Sequence, residues 1–196
     1  MYHKLFPDAV KVSEPNGVFS NLNSSGIEVG VQLVEHPAVK AVGFTGSIRG
    51  GRALLDLAAK REEPIPVFAE MGSVNPVIIL PKALTEDGNN WAKTYAGSIT
   101  LGTGQFCTNP GLILGIKSKE LSQFIAQVSD AILQIKPSVM LHPNIAGAYE
   151  INKQKAISQS DVVVAASFID NTQTNFASQM IATVEGKEFL ENSTSS

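Results

Sequence analysis

The order of apolar runs predicts an α/β fold, a piece of a doubly wound and largely parallel sheet. Three observations carry this. Short strand-sized apolar runs alternate with longer stretches whose apolar residues recur at helical spacing. The first two strand candidates are joined by a helix, and such a crossover makes parallel pairing the expected geometry. Turn formers separate the runs, Pro37 and Pro64 among them.

Taken in order, the opening stretch to Ser25 is rich in turn residues: Pro7, Pro15, Asn16, Gly17, Asn23 and Ser24. A helix is predicted from Ile27 to Glu35, with Val29, Leu33 and Val34 as its stripe. Val39–Phe44 reads as a strand, Arg49–Arg61 as a helix carrying Leu54, Leu55, Leu57 and Ala58, and Ile65–Ala69 as a second strand. Asn75–Leu80 is a further apolar strand, followed by a helix over Glu86–Leu101 with Trp91, Tyr95 and Ile99. A glycine-rich loop spans Gly102–Gly111 before the strand Leu112–Ile116. Ser118 caps a helix running to Gln134 with Leu121, Phe124, Ile125 and Val128 on one face. Asn144–Ile157 is read as a helix, Val162–Ala166 as a strand and Ser178–Val184 as the last strand. A boundary between two α/β units is expected between Met71 and Leu84. The tail Asn192–Ser196 reads as frayed.

Composition narrows the function classes. Of 196 residues, 43% are hydrophobic and 17% charged. That balance suits a packed domain and excludes wholesale disorder. The net charge of −3 and the lack of a basic stripe argue against a nucleic-acid partner. The longest apolar run is Val77–Leu80. A membrane span needs roughly 20 apolar residues, far more than this run supplies. One cysteine forms no internal disulfide, and the N-terminus has no signal-peptide core, so a cytoplasmic setting is expected.

Three segments carry chemistry. Cys107 lies in the glycine-rich loop just before Pro110. A lone cysteine is most often a small buried hydrophobe. A loop that brings backbone N–H groups close to a ligand, however, suits a nucleophile whose adduct is an oxyanion. Glu70 ends the apolar run Val67–Phe68–Ala69. Its bland reading is a solvated carboxylate at a strand end, and its functional one is a general base at the carboxyl end of a parallel strand, where open α/β sheets bind ligands. Phe44-Thr45-Gly46-Ser47 joins a strand to a helix. It is either an ordinary capped turn or a phosphate cradle at a helix N-terminus, and it matches neither the dinucleotide glycine fingerprint nor the Walker pattern. Three scattered histidines give no metal-ligand spacing, and no metal site is expected.

Together the three segments resemble the aldehyde dehydrogenase superfamily. Glu35-His36-Pro37-Ala38-Val39-Lys40-Ala41-Val42-Gly43-Phe44-Thr45-Gly46-Ser47 is similar to its cofactor-loop motif. Glu70-Met71-Gly72-Ser73-Val74-Asn75-Pro76 is similar to its glutamate signature, and Gly104-Gln105-Phe106-Cys107-Thr108-Asn109-Pro110-Gly111 to its cysteine signature. Order and spacing also fit, over nearly the whole chain. The glutamate motif commonly continues Gly-Gly-Lys, whereas Gly72 here is followed by Ser73 and Val74. Phe106 and Pro110-Gly111 are also less common variants. These departures resemble the subgroup that oxidises 2-oxoglutarate semialdehyde (2,5-dioxopentanoate).

The resemblance implies a partial aldehyde dehydrogenase fold. Residues 1–73 would be the C-terminal part of an NAD(P)-binding, Rossmann-like domain and 74–196 the N-terminal part of the catalytic domain. It implies Cys107 as nucleophile and Glu70 as water-activating base, both lining one cleft. Thr45, Gly46 and Ser47 would line the pocket for NAD or NADP, with Met71 near the nicotinamide. The substrate would be a small-molecule aldehyde, and the complete protein a homo-oligomer. Family members carry an oxyanion-hole asparagine and adenosine contacts upstream, and a ribose-binding glutamate and oligomerisation strand downstream. The chain is therefore expected to be a fragment that is inactive in isolation. Two other readings stay open: a thiol hydrolase or acyltransferase pairing Cys107 with His142 or His36, and a non-catalytic remnant that binds a partner.

Overall fold

A computed structural model describes residues 17–168 and 175–192. The chain divides into two compact units, Met1–Gly72 and Ser73–Ser196. The turn-rich opening before Gly17 and the tail after Asn192 lie outside the described residues.

In the first unit the order is α1 (Glu28–Glu35), β1 (Val42–Gly46), α2 (Ile48–Ala59) and β2 (Val67–Met71). β1 and β2 pair in parallel, as the helical crossover requires. Both strands run two residues further toward the C-terminus than the sequence reading placed them. The ladder Val42↔Val67 to Gly46↔Met71 extends pairing over Thr45, Gly46, Glu70 and Met71, which lie beyond the expected strand ends. Inward positions alternate with exposed ones along each strand, so Phe44, Ala69 and Met71 turn one way and Thr45 and Glu70 the other. Helix α2 packs closely on the inward face because it carries glycine there. A Cβ on Gly51 would lie 2.2 Å from Met71 Sδ and 3.3 Å from Ala69 Cβ. Arg61 Nη1 donates to Val34 O at 2.8 Å and Val39 O at 3.0 Å, tying the end of α1 to the end of α2.

The second unit opens with β3 (Val77–Ile79), followed by α3 (Pro81–Thr100), β4 (Ile113–Gly115) and α4 (Lys119–Leu133). β3 and β4 are parallel. α3 starts ahead of the expected Glu86, because Pro81 occupies its first turn, where a missing N–H costs nothing. The helix is interrupted at Asp87, whose φ of −154° and ψ of 38° are not helical. The turn before that break buries Leu84, which with Ala92, Phe124 and Val128 forms the core between α3 and α4. Tyr95 and Phe124 meet there with ring centroids 6.5 Å apart. Ser118 caps α4 as expected, its Oγ accepting from Leu121 N–H.

Beyond α4 the pairing turns antiparallel. β5 (Ser138–Val139) pairs with β7 (Phe176–Ala177), and β6 (Val163–Ser167) with β8 (Met180–Thr183), with a bulge between Val164 and Ala166. β5 and β7, at two residues each, are too short to show a period and were not expected. α5 (Pro143–Ile157) and α6 (Gly186–Asn192) complete the order. Tyr149 of α5 donates to Ser178 O at 2.9 Å. Its phenol is pushed up by burial, and further by the neighbouring charge of Glu150.

Candidate active site

In the first unit, strand pairing gathers the expected cofactor residues and Glu70. Thr45 is the register partner of Glu70, and Gly46 that of Met71, all at the carboxyl ends of two parallel strands. Glu70 and Thr45 are exposed. Ser47 is the N-cap of α2, its Oγ accepting from Gly50 N–H at 3.1 Å. That occupies one of the N–H groups the first turn of a helix leaves unpaired. The Phe44 ring lies over this corner, so a Cβ on Gly46 would come within 2.6 Å of its Cζ. Immediately after β2, Gly72 adopts a left-handed φ of +65° and turns the chain away.

In the second unit, Cys107 is exposed on a turn that side chains brace. Asn109 N–H donates to Phe106 O at 3.0 Å, closing a β-turn with Cys107 as its second residue. Ahead of it, Gly102, Thr103 and Gly104 have positive φ of 57°, 60° and 71°. Glycine makes this left-handed corner cheap at two of its three positions. Gln105 spans the corner, donating from Nε2 to Gly102 O and accepting at Oε1 from Leu141 N–H. Asn109 Nδ2 donates to Ile99 O at 2.8 Å. The Tyr95 hydroxyl donates to Pro110 O. Burial pushes that phenol up to about 12 from 10.0.

The sequence reading missed two residues at this turn. Ser73 Oγ donates to Cys107 O at 2.5 Å, and Asn75 Nδ2 donates to the same oxygen at 2.8 Å and to Asn109 O at 3.1 Å. Ser73 stood out in the sequence only as a departure from a motif. Its partner is a backbone carbonyl 34 residues away, and no residue type announces such a contact.

The two histidines weighed as partners for the sulfur serve local roles. His142 caps α5, its Nδ1 accepting from Asn144 N–H at 3.1 Å, and His36 Nδ1 accepts from Ala38 N–H at 3.1 Å. Among the described residues, no cluster of three or more His, Cys, Asp or Glu could hold a metal ion. No helix among them is long and apolar enough to cross a membrane.

Known proteins resemble this chain in sequence and fold. The aldehyde dehydrogenase family model matches residues 3–146. The chain is 48% identical over 145 residues to alpha-ketoglutaric semialdehyde dehydrogenase 2 of Azospirillum brasilense, covering 74% of this chain and 28% of that protein. It is 47% identical over 136 residues to alpha-ketoglutaric semialdehyde dehydrogenase of Acinetobacter baylyi, covering 69% and 26%. The chain thus spans about a quarter of the length of these relatives. Among solved structures, a salicylaldehyde dehydrogenase from Pseudomonas putida G7 is similar with a TM-score of 0.77 at 22% identity, over 95% of this chain and 40% of that one. A gamma-glutamyl-gamma-aminobutyraldehyde dehydrogenase from Burkholderia cenocepacia J2315 gives 0.75 at 22%, over 90% and 37%. The family match ends at residue 146, while the likeness of fold runs past it into the antiparallel strands. With both signatures inside the matched span and a partial α/β fold shared with solved members, this chain belongs to the aldehyde dehydrogenase family.

Proposed function

We propose that the chain is part of an NAD(P)-dependent dehydrogenase that oxidises alpha-ketoglutaric semialdehyde, or a related short aldehyde, to the carboxylic acid. The observation that carries this reading is the presentation of Cys107, the sole cysteine, exposed on a turn held from several sides. The substrate follows from the two relatives at 48% and 47% identity. In this reading residues 1–73 belong to the cofactor-binding domain and 74–196 to the catalytic domain. The complete protein is a cytoplasmic homo-oligomer.

The donor set at the end of β1 fits a dinucleotide. Hydroxyls of Thr45 and Ser47 flank a glycine at a helix N-terminus, where the helix dipole favours an anionic pyrophosphate. Met71, register partner of Gly46, would lie toward the nicotinamide end. A bound nicotinamide supplies the hydride acceptor. The Cys107 thiolate adds to the aldehyde carbon, forming a C–S bond and an oxyanion, the thiohemiacetal. Loss of hydride from that carbon leaves a thioester on Cys107. Glu70 takes a proton from water as the water oxygen attacks the thioester carbonyl. The C–S bond breaks, the thiolate returns and the acid leaves.

The test uses the complete protein that contains this segment. Glu70→Gln gives a burst of NAD(P)H followed by slow turnover, since acylation proceeds and hydrolysis stalls, while Cys107→Ser gives neither. Loss of the burst in Glu70→Gln with normal cofactor binding would assign Glu70 an earlier role. The isolated 196-residue chain, whose matched span covers about a quarter of its relatives, shows weak or no turnover. Aldehyde oxidation by it at ordinary enzyme rates, on the order of 1–10³ s⁻¹, would overturn that part of the proposal.

A further inference from the structure

We propose that Ser73 and Asn75 are positioning residues for Cys107, locking the peptide bond on its C-terminal side against rotation. The inference rests on the reading of Cys107 as the nucleophile and adds the machinery that orients it.

In the turn Phe106–Asn109, Cys107 and Thr108 are the two central residues. The peptide joining them is the one whose orientation separates the two common turn types. A flip of that plane changes ψ of the first central residue from about −30° to about +120°, and φ of the second from about −90° to about +80°. Its carbonyl oxygen is Cys107 O, the atom on which Ser73 Oγ and Asn75 Nδ2 converge at 2.5 and 2.8 Å. A carbonyl oxygen has two lone pairs, and these donors take both. Flipping the peptide would therefore break two hydrogen bonds together.

The lock acts on the sulfur through the backbone. With a trans peptide, holding the carbonyl on one side fixes the Thr108 N–H on the other. Both the ψ that sets the Cys107 side chain relative to the turn and the direction of a backbone donor beside it are thereby settled before substrate arrives. Asn75 also donates to Asn109 O, so one amide group grips the turn at its second and fourth residues. Ser73 adds the second donor to the central peptide alone. The glycine common at its position in the family signature could not supply that bond.

The sole cysteine makes the test direct, because carbonyl-¹³C cysteine labels one oxygen-bearing carbon in the 196-residue chain. In the native chain the labelled carbonyl gives a resonance distinct from that in urea and a lowered amide I frequency. Ser73→Ala raises that frequency and slows alkylation of Cys107 by iodoacetamide about fivefold, the effect of one lost hydrogen bond. Ser73→Thr, which keeps the hydroxyl, restores both readouts. Asn75→Ala moves the carbonyl signal in the same direction. The proposal is overturned if the native carbonyl already shows its urea value, if Ser73→Ala leaves frequency and alkylation unchanged, or if Ser73→Thr behaves as Ser73→Ala. Failure of the dehydrogenase reading is a separate result: aldehyde oxidation surviving in Cys107→Ala of the complete protein would remove the nucleophile's role and leave the carbonyl measurements standing.

Discussion

Glu70 stands on a strand fixed by backbone pairing, with Thr45 directly across from it, whereas Cys107 stands on a turn whose supports are side chains. A ladder is built from main-chain groups, so the position of Glu70 does not hang on the polar contacts of any one neighbouring side chain. The Cys107 turn has no such redundancy. Ser73 and Asn75 share the Cys107 carbonyl, Gln105, Asn109 and Tyr95 each satisfy a separate backbone group, and each side chain can be lost singly. The first unit thus stores its geometry in the backbone and the second stores it in polar side chains seated on an apolar base.

That base is where the contrast breaks most sharply. Phe124 is 3% exposed, packs with Leu84, Ala92 and Val128, and meets the ring of Tyr95. Phe124→Ala should cost about 3–5 kcal/mol, the usual loss for a buried aromatic. Hydrogen exchange resolved along the chain checks where the loss falls. Protection should collapse over α3, β4 and α4 and persist over β1 and β2. Equal loss in both units would mean that they unfold as one.

A milder probe is Tyr95, whose hydroxyl holds Pro110 O beside the cysteine turn. Burial keeps this phenol protonated to about 12 in the folded chain, against 10.0 for the exposed group. Between those values the folded state holds a proton that the unfolded state has released. Stability therefore falls as pH rises from 10.0 to about 12, and the group's full contribution is present below that window. Tyr95→Phe should cost about 1 kcal/mol at neutral pH for the lost hydrogen bond. It should also flatten the alkaline slope, leaving the share that belongs to Tyr149, which burial likewise raises. Urea titrations followed by Trp91 fluorescence across that range test both effects. An unchanged slope would place the phenol's titration elsewhere.

The same contrast explains what could be read from residues alone. The alternation of runs located the parallel pair β1–β2 and the helix between them, because a buried crossover imposes its period on the sequence. Glu70 and Cys107 stood out because their types and surroundings suit acid–base and nucleophilic work. Strand ends were misplaced, since Thr45, Gly46 and Glu70 look like loop residues and only the ladder keeps them extended. The helix expected from Glu86 in fact opens at Pro81, a residue well suited to a first helical turn. Ser73 and Asn75 were illegible for a deeper reason. A side chain that serves a distant carbonyl leaves no periodic trace, so a site built from such contacts is visible only once the chain is folded.

One substitution made in both units gives the finest test. Thr45 lies in β1, where a β-branched side chain suits extended backbone, and glycine there adds freedom to the unfolded chain. Thr45→Gly should destabilise by about 1 kcal/mol. Thr103 is the opposite case. Its φ of 60° and ψ of 33° lie in the left-handed region. That region disfavours a β-branched residue by roughly 1–2 kcal/mol. Glycine removes that strain and brings back an entropic cost of roughly 0.5–1 kcal/mol. The hydrogen bond that would be lost, Thr103 Oγ1 to Val139 O, is long at 3.4 Å and exposed, and contributes little. Thr103→Gly should therefore be neutral to stabilising, by up to about 1 kcal/mol. Exchange protection over β1–β2 for the first variant, and over the cysteine turn and α3 for the second, reads the two signs in one experiment. If Thr103→Gly destabilises as much as Thr45→Gly, the threonine side chain holds the left-handed corner, and its backbone strain is already offset where it arises.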